Sequence, residues 1–472
     1  MITGPSTDPR AAQPGAAPPK RRGTELALLG FAVLVTLVAQ AIVDLTITGS
    51  LRPDMALFGG WITGLWAVAH LVVRKWAPYA DPLLLPSVAL LVGLGLAVIH
   101  RLDLAAEQVD ATATRQDAPV QLVWATLGVA LFVVVLVVLR DHRVLSRFAY
   151  TLALVGLVLL AIPAVLPASL SEVNGAKIWI RLAGFSIQPG EFAKICLIVF
   201  FAAYLVDKRD VLALASRRVA GLELPRARDL GPVLVAWALS ILVLVFERDL
   251  GSSLLLFGIF VVMLYVATER ASWLVIGLGL FAGAALIAYQ VFGHVQARVD
   301  VWLSPFEYRD AAGYQLVQSL FGLGTGGLFG AGLGGGRPDQ VPVAKSDFIA
   351  AAIGEELGLF GLVAVIIVYL ILVERGLRTS LIVRDAFGKL LAAGLAFAIA
   401  WQVFVVLGGV TGLLPLTGLT TPFLAYGGSS LVANFVLVAV LVRISDAARR
   451  PAVPAGPPRP ALGDAPTEVV KQ

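Results

Sequence analysis

Apolar residues fall into twelve long runs, at roughly 26–44, 56–73, 83–99, 120–139, 148–166, 190–206, 231–246, 250–267, 272–292, 348–373, 389–408 and 424–442. Each is about long enough to cross a hydrocarbon core as a helix, a few being short or broken. The pattern predicts an all-α polytopic membrane protein with about twelve transmembrane helices. The least distinct division is between the seventh and eighth runs, where only Glu247-Arg248-Asp249 makes a turn. One long polar interruption, residues 293–347, precedes the tenth run. Composition agrees: of 472 residues, 58% are hydrophobic and 14% charged, and the mean hydropathy is +0.87.

Charge orients the spans. With the N-terminus inside, roughly 25 of the Lys and Arg residues fall on inner segments and roughly 10 on outer ones. Both termini are therefore expected in the cytoplasm and the 293–347 loop outside. The net charge of +5 is spread over loops and reads as topology, not as nucleic-acid binding. A single cysteine, Cys196, excludes a disulfide or a thiolate metal site within one chain. His70, His100, His142 and His294 show no metal-ligand spacing. The Pro/Ala-rich ends read as disordered.

The chemistry concentrates where the long loop meets the tenth span, at Lys345-Ser346-Asp347-Phe348-Ile349. Helical spacing puts Ala350, Ala351, Gly354 and Gly358 on nearly the face of Asp347, so a bulky group or another helix can approach it. Glu355 lies about 80° round and Glu356 about 180°. Asp347 is either a helix N-cap or a functional acid at the membrane boundary; no Glu or Gln three residues on completes a capping box. The preceding glycine run, Gly322 to Gly336, contains two G-x-G-x-x-G matches. No strand or Rossmann unit surrounds them, so they predict a compact surface loop and not a dinucleotide site. The loop's length favours a function.

Other polar groups lie at the ends of apolar runs. Gln188-Pro189-Gly190-Glu191 opens the sixth span, and Glu191 and Lys194 share a helix face, so they are expected to pair. Lys177 and Arg181 flank Trp179, either as interface anchors or as phosphate ligands. Pro415 to Ser430 is a hydroxyl-rich, broken approach to the last span, tolerated where it is buried or lines a cavity.

Taken in order, Asn174-Gly175-Ala176-Lys177 with Trp179, Gln188-Pro189 with Glu191 and Lys194, Asp249-Leu250-Gly251, Gly313-Tyr314-Gln315 with Gln318-Ser319, Asp347-Phe348-Ile349 with Gly354-Glu355-Glu356-Leu357-Gly358, and Tyr426-Gly427-Gly428-Ser429-Ser430 resemble the SEDS family (shape, elongation, division and sporulation), which includes RodA, FtsW and SpoVE. The resemblance implies a division into a disordered cytoplasmic N-terminus (1–25), an extra transmembrane hairpin and linker (26–82), a ten-span core (83–445) and a cytoplasmic tail (446–472). The extra hairpin resembles the RodA-type proteins of actinobacteria, and is expected to be dispensable for chemistry. The chain departs from the family at Gly190, where Ser is usual, at Glu247-Arg248, where Gln-Pro is usual, and at Lys345-Ser346, where His-Thr is common.

The resemblance implies a peptidoglycan glycosyltransferase at the outer face of the cytoplasmic membrane. It would polymerise lipid II, the undecaprenyl-pyrophosphate-linked disaccharide pentapeptide, during elongation, beside a class B penicillin-binding protein. Asp347 matches the family's essential acid, and a single inversion at the donor sugar calls for one general base. Lys345, Lys177, Arg181, Gln188, Glu191, Lys194, Glu355, Ser429 and Ser430 are the expected substrate-binding residues. A Mg²⁺ or Mn²⁺ ion would rest on substrate phosphates, with no metal site of the protein's own. A lipid II flippase or other transporter, an FtsW-like division polymerase and a noncatalytic scaffold are the competing readings.

Overall fold

The computed structural model describes residues 20–109, 116–173, 175–182, 185–214, 216–219, 222–225 and 231–451. In chain order the helices are α1 (Arg22–Thr48), α2 (Met55–Trp76), α3 (Leu84–Val109), α4 (Asp117–Val138), α5 (Val144–Arg147), α6 (Ala149–Val165), α7 (Ala168–Ser171), α8 (Pro189–Leu214), α9 (Gly231–Phe246), α10 (Leu250–Thr268), α11 (Ser272–Val291), α12 (Gly293–Leu303), α13 (Tyr314–Gly326), α14 (Ile349–Ile382), α15 (Ala386–Val410) and α16 (Gly428–Arg449). Ten of them are long and apolar enough to cross a membrane among the described residues. The remaining two expected spans are the shorter apolar helices α6 and α9. Three two-stranded antiparallel hairpins, β1/β2 (Glu172–Val173, Ala176–Lys177), β3/β4 (Ile180–Leu182, Phe185–Ile187) and β5/β6 (Ser216–Val219, Leu222–Pro225), qualify the all-α expectation without changing the architecture.

Packing follows burial. The most enclosed spans are α3 and α16, whose apolar windows are 89% buried, while that of α11 is 11% buried. A helix apolar all round belongs inside protein or against lipid, and α3, α15 and α16 take the first place. Small residues let them close up. A Cβ on Gly95 would strike the Leu424 carbonyl, one on Gly128 the Phe435 ring and one on Gly376 the Ala396 side chain.

The N-terminal hairpin is not a loose appendage. Thr36 of α1 fills the space over Gly93 of α3. Asp44 pairs with His100 at 2.8 Å, and Glu25 with His70 at 2.8 Å, all four buried. Glu25 lies just beyond the edge that hydropathy drew: α1 begins at Arg22, so residues 22–25 are helix, and Glu25 is fully buried. The last helix likewise runs on to Arg449, past the boundary expected at residue 446. Residues 1–19 and 452–472 lie outside the described residues.

The two ends of the described chain meet at one end of the bundle. Arg22 donates to the Ala80 carbonyl. The Tyr79 amide donates to Asp446, and Arg449 pairs with Asp81 at 2.6 Å. The loop between α12 and α14 lies at the opposite end.

That loop is woven into its neighbours. In α14, Gly358 breaks the helix with φ 67° and ψ −170°. Backbone groups freed near the break pair with the glycine run: Ala331 and Gly332 amides donate to Glu355 and Glu356 carbonyls, and the Leu359 amide donates to Gly327, each at 2.9 Å. The contact leaves no room for side chains. A Cβ on Gly326 would lie 2.1 Å from the Gly354 carbonyl, and one on Gly330 2.2 Å from that of Glu356. The glycines therefore serve close backbone approach, and the compact surface loop expected from sequence is instead a backbone seam against α14. The small face of α14 receives α13 there, with Leu323 against Gly354.

Candidate active site

Asp347 lies in the last turn before α14, whose N-cap is Phe348 with no side-chain capping bond. The carboxylate is therefore not spent as a helix cap. It is half-buried on the wall of a cavity of about 370 Å³, shared with Arg298 and Gln315. Five segments build most of that cavity: α12, α13, the turn at Asp347, the end of α15 and the loop 416–419 between α15 and α16. Arg298 Nη1 donates to the carbonyls of Leu416 and Thr417 at 3.0 and 3.1 Å, which fixes both the guanidinium and the loop.

Burial pushes the Asp347 carboxyl up to about 6; a Ser346 hydrogen bond and the Arg298 charge oppose the rise, and Asp249 adds to it. The group is thus mainly ionised at neutral pH yet close enough to it to accept and release a proton. Asp249 caps α10, accepting from the Gly251 and Ser252 amides at 2.9 and 3.2 Å, while its Oδ2 is buried with no hydrogen-bond partner. Its neighbour Glu247, buried in the same turn, is pushed up to about 8 by burial and then by Asp249. At neutral pH Glu247 is mostly the uncharged acid, a near-isostere of the Gln that the family pattern places there.

A second cavity of about 670 Å³ shares Ala297 and Arg298 with the first and adds Arg248 and His294. Burial, then Arg298 and Arg248, lower the His294 pKa, and its Nε2 is buried without a hydrogen-bond partner. The two adjoining cavities together thus hold a carboxylate, two guanidiniums and an imidazole.

Most of the expected substrate ligands lie elsewhere, held by the protein itself. Lys345 donates to Asp103 at 2.5 Å and to Asp117 at 2.9 Å. Burial works to lower its pKa, but the two carboxylates outweigh it and hold the ammonium above its usual value. Glu191 and Lys194 pair at 2.8 Å, as their spacing predicted, and both are buried. Lys194 also reaches Gln402 Oε1 at 2.8 Å, and Gln402 donates to the Thr420 carbonyl at 2.9 Å, which ties α8 and α15 to the loop before α16. Gln188 donates its amide to Ser429 Oγ at 2.9 Å, and Ser430 accepts from Asn434 at 2.8 Å. Glu355 accepts from the Arg337 amide at 2.6 Å and so secures the glycine run. Lys177 donates its amide to the Glu247 carbonyl at 2.9 Å, beside the second cavity, and Arg181 is exposed on β3. These residues frame the chamber and do not line it.

Arg298 and His294 are what sequence reading missed. The available signal was Arg298 as a lone guanidinium in an outer amphipathic stretch, one helical turn from His294. A divalent cation finds little of its own here. Among the described residues no group of three or more His, Cys, Asp or Glu is placed to hold a metal, and the partnerless Asp249 oxygen adds one donor only.

A family model described as FTSW_RODA_SPOVE, cell cycle protein, matches residues 82–450. The peptidoglycan glycosyltransferase RodA of Mycobacterium tuberculosis (strain ATCC 25618 / H37Rv) is 55% identical over 433 residues, which are 92% of this chain and 92% of that one. The probable peptidoglycan glycosyltransferase FtsW of Geobacter metallireducens is 35% identical over 328 residues, 68% of this chain and 83% of its own. A solved structure described as "Structural coordination of polymerization and crosslinking by a peptidoglycan synthase complex" aligns with a TM-score of 0.51 at 24% identity, covering 82% of this chain and 96% of that one. That likeness bears on the fold alone.

Proposed function

The chain belongs to the FtsW, RodA and SpoVE family and is a peptidoglycan glycosyltransferase, and from that premise we propose that it polymerises lipid II at the outer face of the cytoplasmic membrane, with Asp347 as general base. The observation that carries the assignment is a half-buried carboxylate, not spent as a helix cap, lining a cavity that also holds a fixed guanidinium, Arg298.

In this reading the acceptor hydroxyl lies within hydrogen-bond reach of Asp347, which takes its proton as the oxygen attacks the donor anomeric carbon. The bond from that carbon to the pyrophosphate oxygen breaks, and the pyrophosphate leaves with the electron pair. Inversion converts the α-linked donor into a β-1,4 product, as at an inverting carboxylate pair. Arg298, with Arg248 and the His294 imidazole in the adjoining cavity, supplies positive charge and donors to the leaving phosphates. A Mg²⁺ or Mn²⁺ ion would travel on the substrate phosphates, where it would add to the charge neutralisation of the leaving group.

The charge bias of the loops supports placing both termini in the cytoplasm and Asp347 outside. The greater similarity to RodA than to FtsW relatives supports a role in elongation. A class B penicillin-binding protein is the proposed crosslinking partner, on the family resemblance. The test is purified full-length protein incubated with labelled lipid II in detergent, where flipping has no meaning. Glycan strands support the reading. Their absence, together with lipid II transfer across vesicles by the same preparation, supports the transporter reading instead.

A further inference from the structure

The end of the bundle away from Asp347 holds a cavity of about 670 Å³ that the polymerisation reading does not use. It lies where the start of α1, the α2–α3 linker and the last turns of α14 and α16 converge. Arg21, Arg375, Arg378 and Arg449 line it, against a single carboxylate, Asp81. Asp81 is already engaged, by Arg449 at 2.6 Å and Arg375 at 4.0 Å. Glu374 pairs with Arg375 at 2.8 Å and Arg378 at 3.9 Å, but its own side chain is 52% exposed and does not line the cavity. The lining therefore keeps an excess of positive charge, with the Thr24 and Tyr79 side chains beside it.

Part of the cavity lining is apolar. Leu83 and Ile382 line it, and Leu381 next to Ile382 is 81% exposed at the end of α14. Guanidiniums bind phosphate oxygens bidentately. A basic pocket between transmembrane helices with a partly apolar lining matches the chemistry of a phospholipid with an anionic headgroup.

We propose that this cavity is a binding site for a phosphate group, carried by an anionic membrane phospholipid. The N-terminal hairpin contributes one wall through Arg21 and Thr24, so the site joins that hairpin to the family core. The site is separate from the Asp347 chamber and stands or falls apart from it.

The test compares full-length wild type with Arg21→Gln/Arg378→Gln, which leaves the Asp81–Arg449 pair intact. Both proteins, in detergent, are titrated with phosphatidylglycerol, phosphatidylcholine or inorganic phosphate, and bound lipid is counted by native mass spectrometry alongside thermal unfolding. Wild type is expected to retain and be stabilised by phosphatidylglycerol and not by phosphatidylcholine. The double variant should bind it roughly 10- to 30-fold more weakly, from about one surface charge contribution per Arg. A full response to inorganic phosphate, lost in the variant, would identify a free phosphate as the occupant. Lipid II polymerisation by the variant, expected within twofold of wild type, verifies the fold; should it fail, Arg378→Gln alone is scored, with about half the loss in binding energy. Equal responses of wild type and folded variant, or no preference for the anionic lipid, overturn the proposal.

Discussion

Breaking the Glu191–Lys194 pair one partner at a time should damage the protein more than removing both. The pair spans 2.8 Å, with side chains 5% and 2% exposed. Glu191→Gln leaves a buried ammonium with neutral partners only, Gln402 among them. An uncompensated buried charge costs about 3–5 kcal/mol, so each single substitution should shift the unfolding equilibrium by at least about 150-fold. The shape-preserving double change, Glu191→Gln with Lys194→Met, removes both charges and should be nearly neutral, so the coupling energy should be about 6 kcal/mol or more in magnitude. The pair also bears on activity through Gln402 and Thr420, because the same loop carries Leu416 to Leu419 on the Asp347 cavity wall. The single variants should therefore polymerise poorly and the double variant recover. Detergent unfolding of all four proteins, with polymerisation rates from the same preparations, completes the cycle. Strictly additive losses would refute the argument.

Glu247 should make stability fall with pH: its folded pKa of about 8 exceeds the ordinary 4.5, so the contribution present below about 4.5 is lost as pH rises through about 8. Glu247→Gln should flatten that part of the melting-against-pH curve and leave polymerisation within a few-fold; an unchanged curve contradicts the assignment. Gly358→Ala should destabilise by about 1 kcal/mol or more, since φ is 67° and its Cβ would meet the Gly330 amide at 2.3 Å; a melting temperature equal to wild type contradicts the seam. Deleting residues 26–73 should lower the melting temperature by exposing His100 and uncovering Gly93, while the folded fraction still polymerises; a folded but inactive deletion would place the hairpin in the chemistry.

Hydropathy located the helices because a bilayer demands long apolar runs, and i, i+3 spacing found Glu191–Lys194 because it is a local contact. Contacts between distant segments were not legible. Lys345 looked like a phosphate ligand until α3 and α4 brought Asp103 and Asp117 to it. The break at Gly358 could not be read from a continuous apolar run, since it depends on backbone groups supplied by Gly327 to Gly332. Arg298 gained its place only when the loop before α16 folded over it. Asp347 stood out by position, but whether it capped α14 was a matter of one bond's geometry.

Asp347→Asn tests the central claim most directly. Asn keeps the side chain's size but cannot take a proton. Without the cost of an ionised carboxylate whose pKa sits at about 6, the variant should unfold no more easily than wild type above that pH. Glycan-strand formation from lipid II by the purified variant should fall by roughly 10²-fold or more, and wild-type activity should itself decline as pH drops below about 6. A folded Asp347→Asn protein that polymerises at the wild-type rate would contradict the account.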